Sequence, residues 1–447
     1  MPMTAAEQYM LELINRARLD PLAEAARYGI DLNQGLAPGT ITASAKQVLA
    51  PNAALDQAAE AHSQWMLNTD IFSHTGVGNS TAGDRMMAAG YVFTGTWSWA
   101  ENLHWYGTTG ALNLEAVIGL QHQGLFESAS HRVNTFAPQM REIGIAQVGG
   151  QFTSGGITYN ASMVTQNFAL SGATVFVTGV AYTDRNADAF YGIGEGLGGI
   201  TVTAAGSATT TTTAGGYSVG VAASSAVTVN VAQGATALAT LMLDMSAGNG
   251  KLDVISTGAG GWSLALSTSA TLISGIPNAT LLGVANLNLT GNSAANILTG
   301  NKGNNVIDGG AGFDRITGGA GNDVLIGGTT MDLLNGGAGA DSFIYVSTND
   351  SVAGRGRSDL IQGFEHGVDH IDLSAIDGDP FVAGNQAFSY IGAAGFSGLG
   401  AASAGQMRLV NLSGFSLVQI DTDGNGGSNM QILVTSAAAL TLGDFIL

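Results

Sequence analysis

Residues 291–344 read GNSAANILT GNKGNNVID GGAGFDRIT GGAGNDVLI GGTTMDLLN GGAGADSFI, which are six consecutive units of nine residues. The eighth position of every unit is apolar, and the sixth is always Asp or Asn. Such a short repeat predicts a solenoid, because one unit can bury its apolar residue only against neighbouring units. The stretch therefore predicts a parallel β-roll in the C-terminal part of the chain.

The polar sixth position places oxygen ligands at regular intervals. Two units make one coil, so we expect Asp314 to stack over Asp332 and Asp323 over Asp341. Calcium takes several oxygens at about 2.3–2.6 Å, and stacked turns can offer carboxylates and glycine carbonyls. An apolar solenoid with its Asp residues merely in turns is the alternative, but stacked carboxylates without ions would repel. The expected calcium ligands are Asn305, Asp314, Asp323, Asp332, Asp341, Gly309, Gly312, Gly318, Gly321, Gly327, Gly336 and Gly339, with weaker sites at the uncharged Asn296 and Asn305.

The repeats resemble those of the repeats-in-toxin family of secreted bacterial proteins. Residues 358–374, SDLIQGFEHGVDHIDLS, resemble the segment that follows such repeats in serralysin-type proteases, and this resemblance implies that Asp359 binds calcium. The ending GDFIL resembles the uncleaved C-terminal signal of the type I export machinery, although it could simply be a last strand. The start of the chain lacks the basic and apolar stretches of a secretory signal. We therefore expect export without an N-terminal signal and folding driven by extracellular calcium.

Composition limits the classes of partner. The net charge of −19 excludes nucleic acid, because binding phosphates requires clustered Lys and Arg. The chain of 447 residues contains no Cys, so it has neither disulfides nor thiolate zinc sites. We expect no transmembrane segment, since the sequence has no run of about 18 apolar residues.

The chain divides into three predicted domains. Residues 1–172 have helical patterns, such as a capping box at Thr4 and Glu7 and a long helix starting at Asn52, and they include two strand-like stretches at 143–148 and 162–168. Residues 173–245 are rich in Val, Thr and Gly with period-two alternation, which predicts an all-β module. Residues 246–447 hold a lead-in strand stack, the repeats and a strand-and-turn cap.

A second calcium site is predicted at residues 184–195, DRNADAFYGIGE. Asp184, Asn186 and Asp188 occupy positions one, three and five of an EF-hand loop, Phe190 offers a carbonyl at seven, and Glu195 stands at twelve. Position six is Ala189 where an EF-hand has Gly. A polar hairpin loop is the alternative. Residues 175–206 resemble calcium-bound β-sandwich repeats of bacterial surface proteins.

Phrases in the first domain resemble the bacterial branch of the CAP family (cysteine-rich secretory, antigen 5 and pathogenesis-related proteins). They are AHSQWM at 61–66, FSHTG at 72–76, GDRMMAAGY at 83–91, AENL at 100–103, SASHRVN at 128–134, REIGIAQV at 141–148 and TQNFA at 165–169. The resemblance implies an α-β-α sandwich with a cleft of two His and acidic residues. Matched residue by residue, His74, Glu101 and His131 lie in that cleft, and Glu142 matches a further acid. We expect His62 to be a buried core histidine and His122 to be exposed.

Three functions are open for the head. His74 and His131 could hold a divalent metal such as zinc together with carboxylates, and the head would then bind an extracellular ligand. The same residues, with Glu101, could act as general base and acid in a hydrolase, either a peptidase or an esterase. A head that only serves surface attachment is the third possibility. The sequence favours a secreted, calcium-binding modular protein whose head binds a ligand.

Overall fold

The computed structural model describes residues 2–258, 260–354 and 356–447. The chain forms two compact units, residues 1–268 and residues 269–447. The three predicted domains, with boundaries after 172 and 245, stay a prediction. Among the described residues, no helix is long and apolar enough to cross a membrane.

Most helices of the first unit begin where the sequence offers a side-chain cap. Thr4 and Glu7 form the predicted capping box, Asn52 caps the long helix, and Thr81 and Asp84 form a second capping box. The helices are α1 (Ala5–Leu19), α2 (Pro21–Arg27), α3 (Ala53–Thr69), α4 (Ala82–Ala88), α5 (Leu114–Glu127) and α6 (Ala129–Thr135). Short 3-10 helices lie at Val77–Asn79, Gly400–Ser403 and Leu442–Asp444.

A four-stranded sheet supports these helices. Its strands are β1 (Ala50–Pro51), β2 (Trp97–Thr108), β3 (Glu142–Ser154) and β4 (Ile157–Ser171), in the order β1-β3-β4-β2. Apolar side chains of α1 and α5 pack with Ile143 and Phe168, while those of α3 and α4 pack with Ala169, so helices cover both faces of the sheet. Strand β2, which the sequence did not predict, forms one edge of the sheet.

The rest of the first unit is β-structure. Its strands are β5 (Val175–Thr183), β6 (Ile200–Ala204), β7 (Ser207–Thr210), β8 (Gly216–Val221), β9 (Val227–Gln233), β10 (Thr236–Leu243), β11 (Gly250–Ser256) and β12 (Trp262–Leu266). One ladder runs β7-β6-β9-β10 and another β8-β5-β11-β12. Lys251 of β11 lies 2.8 Å from Glu12 of α1, and both side chains are buried, so an ion pair joins the helical part to the strands.

The regular secondary structure of the second unit is almost entirely β-strand. They are β13 (Ala270–Gly275), β14 (Asn278–Leu281), β15 (Asn288–Thr290), β16 (Ile297–Thr299), β17 (Val306–Asp308), β18 (Arg315–Ala320), β19 (Val324–Ile326), β20 (Leu333–Ala338), β21 (Ser342–Ile344), β22 (Asp359–Phe364), β23 (His370–Asp372), β24 (Ser389–Tyr390), β25 (Gln406–Leu412), β26 (Phe415–Asp421), β27 (Met430–Ser436) and β28 (Phe445–Ile446). Strands β13 to β21 each pair in parallel with the strand two further along. Strand β22 pairs in parallel with β27, and β23 pairs in parallel with β28.

This pairing gives two parallel ladders with an 18-residue period. Leu298 lies beside Ile316, and Ile316 beside Leu334, in one ladder. The other places Ile307 beside Leu325. The position-eight side chains are at most 1% exposed, so the nine-residue repeat builds a continuous apolar core as expected.

Candidate functional site

Two columns of carboxylates run along the repeats. The backbone N–H of Asp314 donates to Asp332 Oδ1 at 2.7 Å, and the N–H of Asp323 donates to Asp341 Oδ1 at 2.9 Å. This confirms the predicted stacking. Beyond the repeats, the N–H of Asp332 donates to Asp359 Oδ1 at 2.8 Å. We define column one as Asn296, Asp314, Asp332 and Asp359, and column two as Asn305, Asp323, Asp341 and Asp369. Asp369 ends column two, because its Oδ1 accepts the N–H of Asp341 at 3.0 Å.

The second oxygen of these carboxylates is buried and lacks a partner. Oδ2 accepts no hydrogen bond from the described residues in five of these carboxylates, and each residue is at most 1% exposed: Asp314, Asp323, Asp332, Asp341 and Asp359. A buried charge without compensation costs several kcal/mol or more, so native proteins pair such groups or place them on metals. The columns therefore offer five oxygens that call for a cation.

Glycines next to these oxygens leave space that a side chain would fill. A β-carbon on Gly309 would lie 2.4 Å from Asp314 Oδ2 and 2.6 Å from the carbonyl oxygen of Gly327. A β-carbon on Gly318 would lie 2.4 Å from both Asp323 Oδ2 and the carbonyl oxygen of Gly336. A carboxylate and a carbonyl oxygen thus lie close together beside each glycine, and both are oxygen types that calcium accepts as ligands. Gly312, Gly321 and Gly339, also predicted ligands, take left-handed φ values of 116°, 108° and 138° in the turns.

Burial changes the protonation of the columns. It raises the pKa of Asp314 and Asp332 to about 7 and that of Asp341 to about 6. Burial, followed by the charge of Asp332, raises the pKa of Asp359 to about 8. The charged form of each column is therefore unfavourable without a counter-ion.

The first member of each column is satisfied without an ion. Asn305 Oδ1 accepts the N–H of Asn301 at 2.8 Å, and its Nδ2 donates to the Leu287 carbonyl at 3.1 Å. Asn296 makes equivalent bonds, accepting from Asn292 and donating to Pro277. The expectation of weaker calcium sites at Asn296 and Asn305 stays a prediction. The side-chain amides of both residues already hydrogen-bond to backbone groups.

Residues 184–195 form a closed loop after β5. Asp184 Oδ2 accepts the N–H of Ala189, whose φ of 57° is the left-handed conformation that glycine usually supplies at position six. Glu195 is 7% exposed, and its two carboxylate oxygens accept the N–H groups of Arg185 and Gly192. Asp184 Oδ1 is buried and has no partner among the described residues. The loop has EF-hand spacing, and its occupancy by calcium stays a prediction.

The other residues predicted as ligands in this loop bond mainly to one another. Asp188 Oδ1 accepts the N–H of Phe190 at 2.9 Å, and Asn186 Nδ2 donates to Asp188 Oδ2 at 3.0 Å. The ring of Phe190 packs edge-on against Tyr9 of α1 at 6.2 Å between centroids, and the guanidinium carbon of Arg16 lies 4.8 Å above it. The loop is therefore anchored to α1.

In the head, the predicted His74 and Glu101 are paired. His74 Nδ1 lies 2.9 Å from Glu101 Oε1, and Arg85 of α4 donates to Glu101 Oε2 at 2.5 Å. The Glu101 side chain is 2% exposed and that of His74 is 61% exposed. A second nitrogen of Arg85 donates to the His74 carbonyl at 3.1 Å. Arg85 thus fixes both partners, and His74 presents its other ring nitrogen toward solvent.

His131 approaches the same end of the sheet from α6. Asn102, the residue after Glu101, donates to the His131 carbonyl at 3.2 Å, and Asn134 donates to Asn102 Oδ1 at 2.9 Å. Burial lowers the pKa of His131, and the charge of His74 lowers it further. His131 is therefore neutral near pH 7, and its buried Nδ1 has no partner in the described part of the chain.

The head residues do not form a ready metal site. Among the described residues, no three His, Asp or Glu side chains lie close enough to hold one ion. One reason is that the two carboxylate oxygens of Glu101 already contact His74 Nδ1 and Arg85. Glu142 lies apart, because its oxygens accept from Asn52 and the Tyr91 hydroxyl at 2.7 and 2.5 Å. Calcium in the columns would use backbone carbonyls as well, which are not part of such a side-chain cluster.

Some head residues differ from the sequence-based expectation. His122 was expected to be exposed but is 2% exposed, because its Nε2 lies 3.3 Å from the buried Glu24 carboxylate. His62 is buried as expected, and its Nε2 lies 2.9 Å from the Ser73 carbonyl, next to His74. The sequence did not single out Arg85 or His104. Burial lowers the pKa of His104 and the charge of nearby His131 lowers it further, and its buried Nδ1 has no partner among the described residues. Arg85 lies within the phrase GDRMMAAGY, which was a signal for it, whereas His104 lies on the unpredicted strand β2.

Comparisons with known proteins agree with this layout. The family model "Cysteine-rich secretory protein family" (CAP) matches residues 11–168, and "Peptidase M10 serralysin C terminal" matches residues 285–447. A search of curated proteins gives no match. Both families are found in secreted proteins.

Three solved structures are similar to parts of the chain. The AlgE6R2 subunit of a mannuronan C5-epimerase from Azotobacter vinelandii is 25% identical, with 35% of this chain and 91% of that one covered and a TM-score of 0.26. The AlgE6R3 subunit of the same enzyme is 24% identical, with 36% and 76% covered and a TM-score of 0.23. An extracellular protein containing an SCP domain from Bacillus anthracis is 21% identical, with 38% and 44% covered and a TM-score of 0.22. By the family models, the chain carries a CAP domain at its N-terminus and a serralysin C-terminal, repeats-in-toxin type domain at its C-terminus.

Proposed function

We propose that this chain is a secreted modular protein whose repeat region is a calcium-bound β-roll and whose head binds an extracellular ligand. The observation that carries the calcium proposal is the set of five buried Asp oxygens in the two columns that have no partner among the described residues. Their charge is compensated if cations occupy the turns, and is costly otherwise. The neighbouring glycine carbonyls complete an all-oxygen donor set, which favours a hard cation over zinc.

In this proposal calcium supplies positive charge and oxygen coordination to both columns. Asp314, Asp332 and Asp359 would hold ions in column one, and Asp323 and Asp341 in column two. Because the folded columns bind ions that the unfolded chain cannot gather, binding energy becomes folding energy. The repeat region would stay unfolded where calcium is scarce and fold where it is abundant.

Circular dichroism of the full chain in EDTA, and after addition of calcium or magnesium, tests the calcium proposal. We expect strand content to rise with calcium and to rise much less with magnesium, which prefers a smaller octahedral site. Hydrogen exchange of residues 291–344 assigns the change to the repeats. Strand content and exchange that are the same in EDTA and calcium would contradict the proposal.

Export by the type I machinery and an extracellular location are part of the same proposal. The serralysin C-terminal domain supports them, since both matched families occur in secreted proteins. Calcium-dependent folding would then delay compaction of the repeat region until the chain has left the cell. A secretion assay that compares the full chain with a chain lacking residues 358–447 tests this, and equal export would contradict it.

For the head, we propose ligand binding at His74, Glu101 and His131. The buried Glu101–Arg85 pair holds His74 in a fixed orientation, and the exposed ring of His74 can donate or accept at its free nitrogen. A zinc ion would need to compete with Arg85 for Glu101, so zinc is the less favoured occupant. Titration of zinc into the full chain, the His74→Ala variant and the His131→Ala variant tests the metal. Binding lost in both variants would support a zinc cleft.

A hydrolase is the second candidate, and the His74–Glu101 contact is the observation that favours it. A carboxylate that accepts from Nδ1 keeps the proton there and leaves Nε2 as a base, as in other His–carboxylate pairs. His74 could then take a proton from a water or hydroxyl that attacks an ester or peptide carbonyl. Activity on ester and peptide libraries that disappears in Glu101→Gln would support the enzyme, and the absence of any turnover would support a binding module.

The loop at residues 184–195 is proposed as a separate calcium site in a β-sandwich module. Asp184 Oδ1 is available for an ion, and the left-handed Ala189 provides the turn of an EF-hand loop. Calcium titration of an Asp184→Asn variant should show one site fewer than the unchanged chain. An unchanged number of sites would contradict this proposal and leave the columns unaffected.

A further inference from the structure

The edge strand β2 presents two tryptophans that the proposed functions do not use. Trp97 is 54% exposed and Trp99 is 38% exposed, although large aromatic side chains bury strongly in most folds. Alternate residues of a strand point to the same face, so Trp97, Trp99 and Glu101 share one face of β2. The intervening Ser98 and Ala100 face the other way, where Ser98 lies against Met140 and Ala100 packs on the core of α1 and α5.

Neighbouring groups hold both rings in place. A β-carbon on Gly83 of α4 would lie 2.5 Å from Trp99 Nε1, so this indole lies directly on the glycine. The Trp97 ring lies 5.1 Å from that of Phe93, which in turn lies 4.9 Å from that of Tyr91. Supported rings lose little conformational entropy on binding, which is what a recognition surface requires.

The two rings lead into the head cleft. Residues two apart on a strand are separated by about 6.8 Å, so Trp97, Trp99 and Glu101 follow one another along one face of β2 toward His74. Glu101 is the residue that holds His74. We call Trp97 and Trp99 the aromatic track. A ligand lying on the track would have its next unit beside His74.

The charge around the track indicates which ligand fits. Arg85 is a cation at the end of the track, and its two terminal nitrogens already bond to Glu101 and to the carbonyls of His74 and Ser80, while its Nε is buried. An anionic chain would therefore find no free guanidinium there. The apolar faces of pyranose rings pack on indole rings, while their hydroxyls stay hydrated.

We propose that the aromatic track binds a linear neutral polysaccharide and feeds it toward His74. This inference rests on the proposed ligand-binding function of the head and names its ligand class. Trp97 and Trp99 stack on successive sugar rings, and His74 hydrogen-bonds a hydroxyl of the next one. The track acts in binding and takes no part in chemistry.

Calorimetry of the full chain in calcium with cellohexaose, chitohexaose and a hexauronate tests the proposal. We expect binding to at least one neutral hexasaccharide and at least fivefold weaker binding to the hexauronate. Trp97→Ala and Trp99→Ala should each weaken binding at least fivefold, while Trp97→Phe should stay within threefold of the unchanged chain. Phe381→Ala, which removes an aromatic side chain 59% exposed outside the head, is the matched control and should have no effect.

A measurement on the unchanged chain guards against misfolded variants. A bound hexasaccharide should protect Trp97 and Trp99 from oxidation mapped by mass spectrometry, and should not protect Trp262. Three results would overturn the proposal: no binding to either neutral sugar, binding unaffected by both alanine variants, or self-association of the chain that the alanine variants abolish. If the aromatic track binds no sugar but metal or substrate binding still depends on His74, the proposed function of the head cleft stands.

Discussion

Replacing Asp332 by Asn should stabilise the repeat region without calcium and destabilise it with calcium. The Asn side chain keeps the oxygen that accepts the Asp314 N–H at 2.7 Å, and it removes the charge on the unpartnered Oδ2. Burial raises the pKa of Asp332 from 3.8 to about 7. At 1.4 kcal/mol for each pKa unit, ionising it in the folded, calcium-free chain costs up to about 4 kcal/mol at pH 8.

The same substitution removes a calcium ligand. A site occupied at 100 times its dissociation constant contributes about 2.7 kcal/mol to folding, and most of that would be lost. The effect on the free energy of unfolding should therefore change sign between EDTA and calcium. Urea unfolding that is monitored by hydrogen exchange of residues 291–344, in EDTA and in calcium, measures this change in the free energy of unfolding. Asp379→Asn is the charge-matched control outside the columns. A loss of stability of equal size in EDTA and in calcium would refute this account of the columns.

The pH dependence follows from the same groups. A carboxylate whose folded pKa is raised binds its proton more tightly when folded, so the calcium-free repeat region should lose stability as the pH rises from about 4 to about 8. Column residues titrate in this window, with pKa values of about 7 for Asp314 and about 6 for Asp341. Calcium binding should release protons near pH 6 and should strengthen toward pH 8. Calcium affinity that is unchanged between pH 5 and 8 would contradict these assignments.

Three further changes test other parts of the structure. Asn305→Asp should destabilise the calcium-free chain by about 1–3 kcal/mol, because the hydrogen bond from Asn305 Nδ2 to the Leu287 carbonyl is lost and a buried charge is added. Urea unfolding in EDTA measures this change. Glu101→Gln should destabilise the head by roughly 3 kcal/mol, because Arg85 loses its partner, and NMR should show that the His74 ring loses its single tautomer. Ala189→Gly should raise the melting temperature slightly, by less than about 1 kcal/mol in stability, because φ is 57° there; a lower melting temperature would contradict the strain.

The repeat region follows from the sequence because its period is local. The apolar position eight must be buried, and the polar position six must recur at the same edge of the coil. The pairing of Asp314 with Asp332 can therefore be predicted from the nine-residue repeat length and from two repeats per coil. Long-range packing decides the head, and its sequence signals are weaker. The strand β2 has mixed polarity, WSWAENLHWYGT, because one face meets α4 and Arg85 while the other meets α1 and α5, so no simple alternation marks it.

Pairings between distant residues were also beyond the sequence. The burial of His122 depends on Glu24, which lies 98 positions earlier, and no local pattern reports that contact. The family resemblance identified His74 and Glu101. It did not identify Arg85 of α4, whose guanidinium contacts both of these residues. That single ion pair decides whether Glu101 is free for a metal, which is why the chemistry of the cleft could not be read from its residue types alone.

The hydrogen bonds along the columns also restrict how this protein can change length in evolution. Within the repeats, each aspartate accepts the N–H of the Asp or Asn 18 residues before it. The array ends on Asp359 in one column and Asp369 in the other, which accept from Asp332 and Asp341. Loss or duplication of nine residues would move every later aspartate to the opposite edge and bring the wrong terminal carboxylate to each column. Insertions and deletions of 18 residues keep every bond. Homologous arrays that join the same two ends should therefore differ by whole coils.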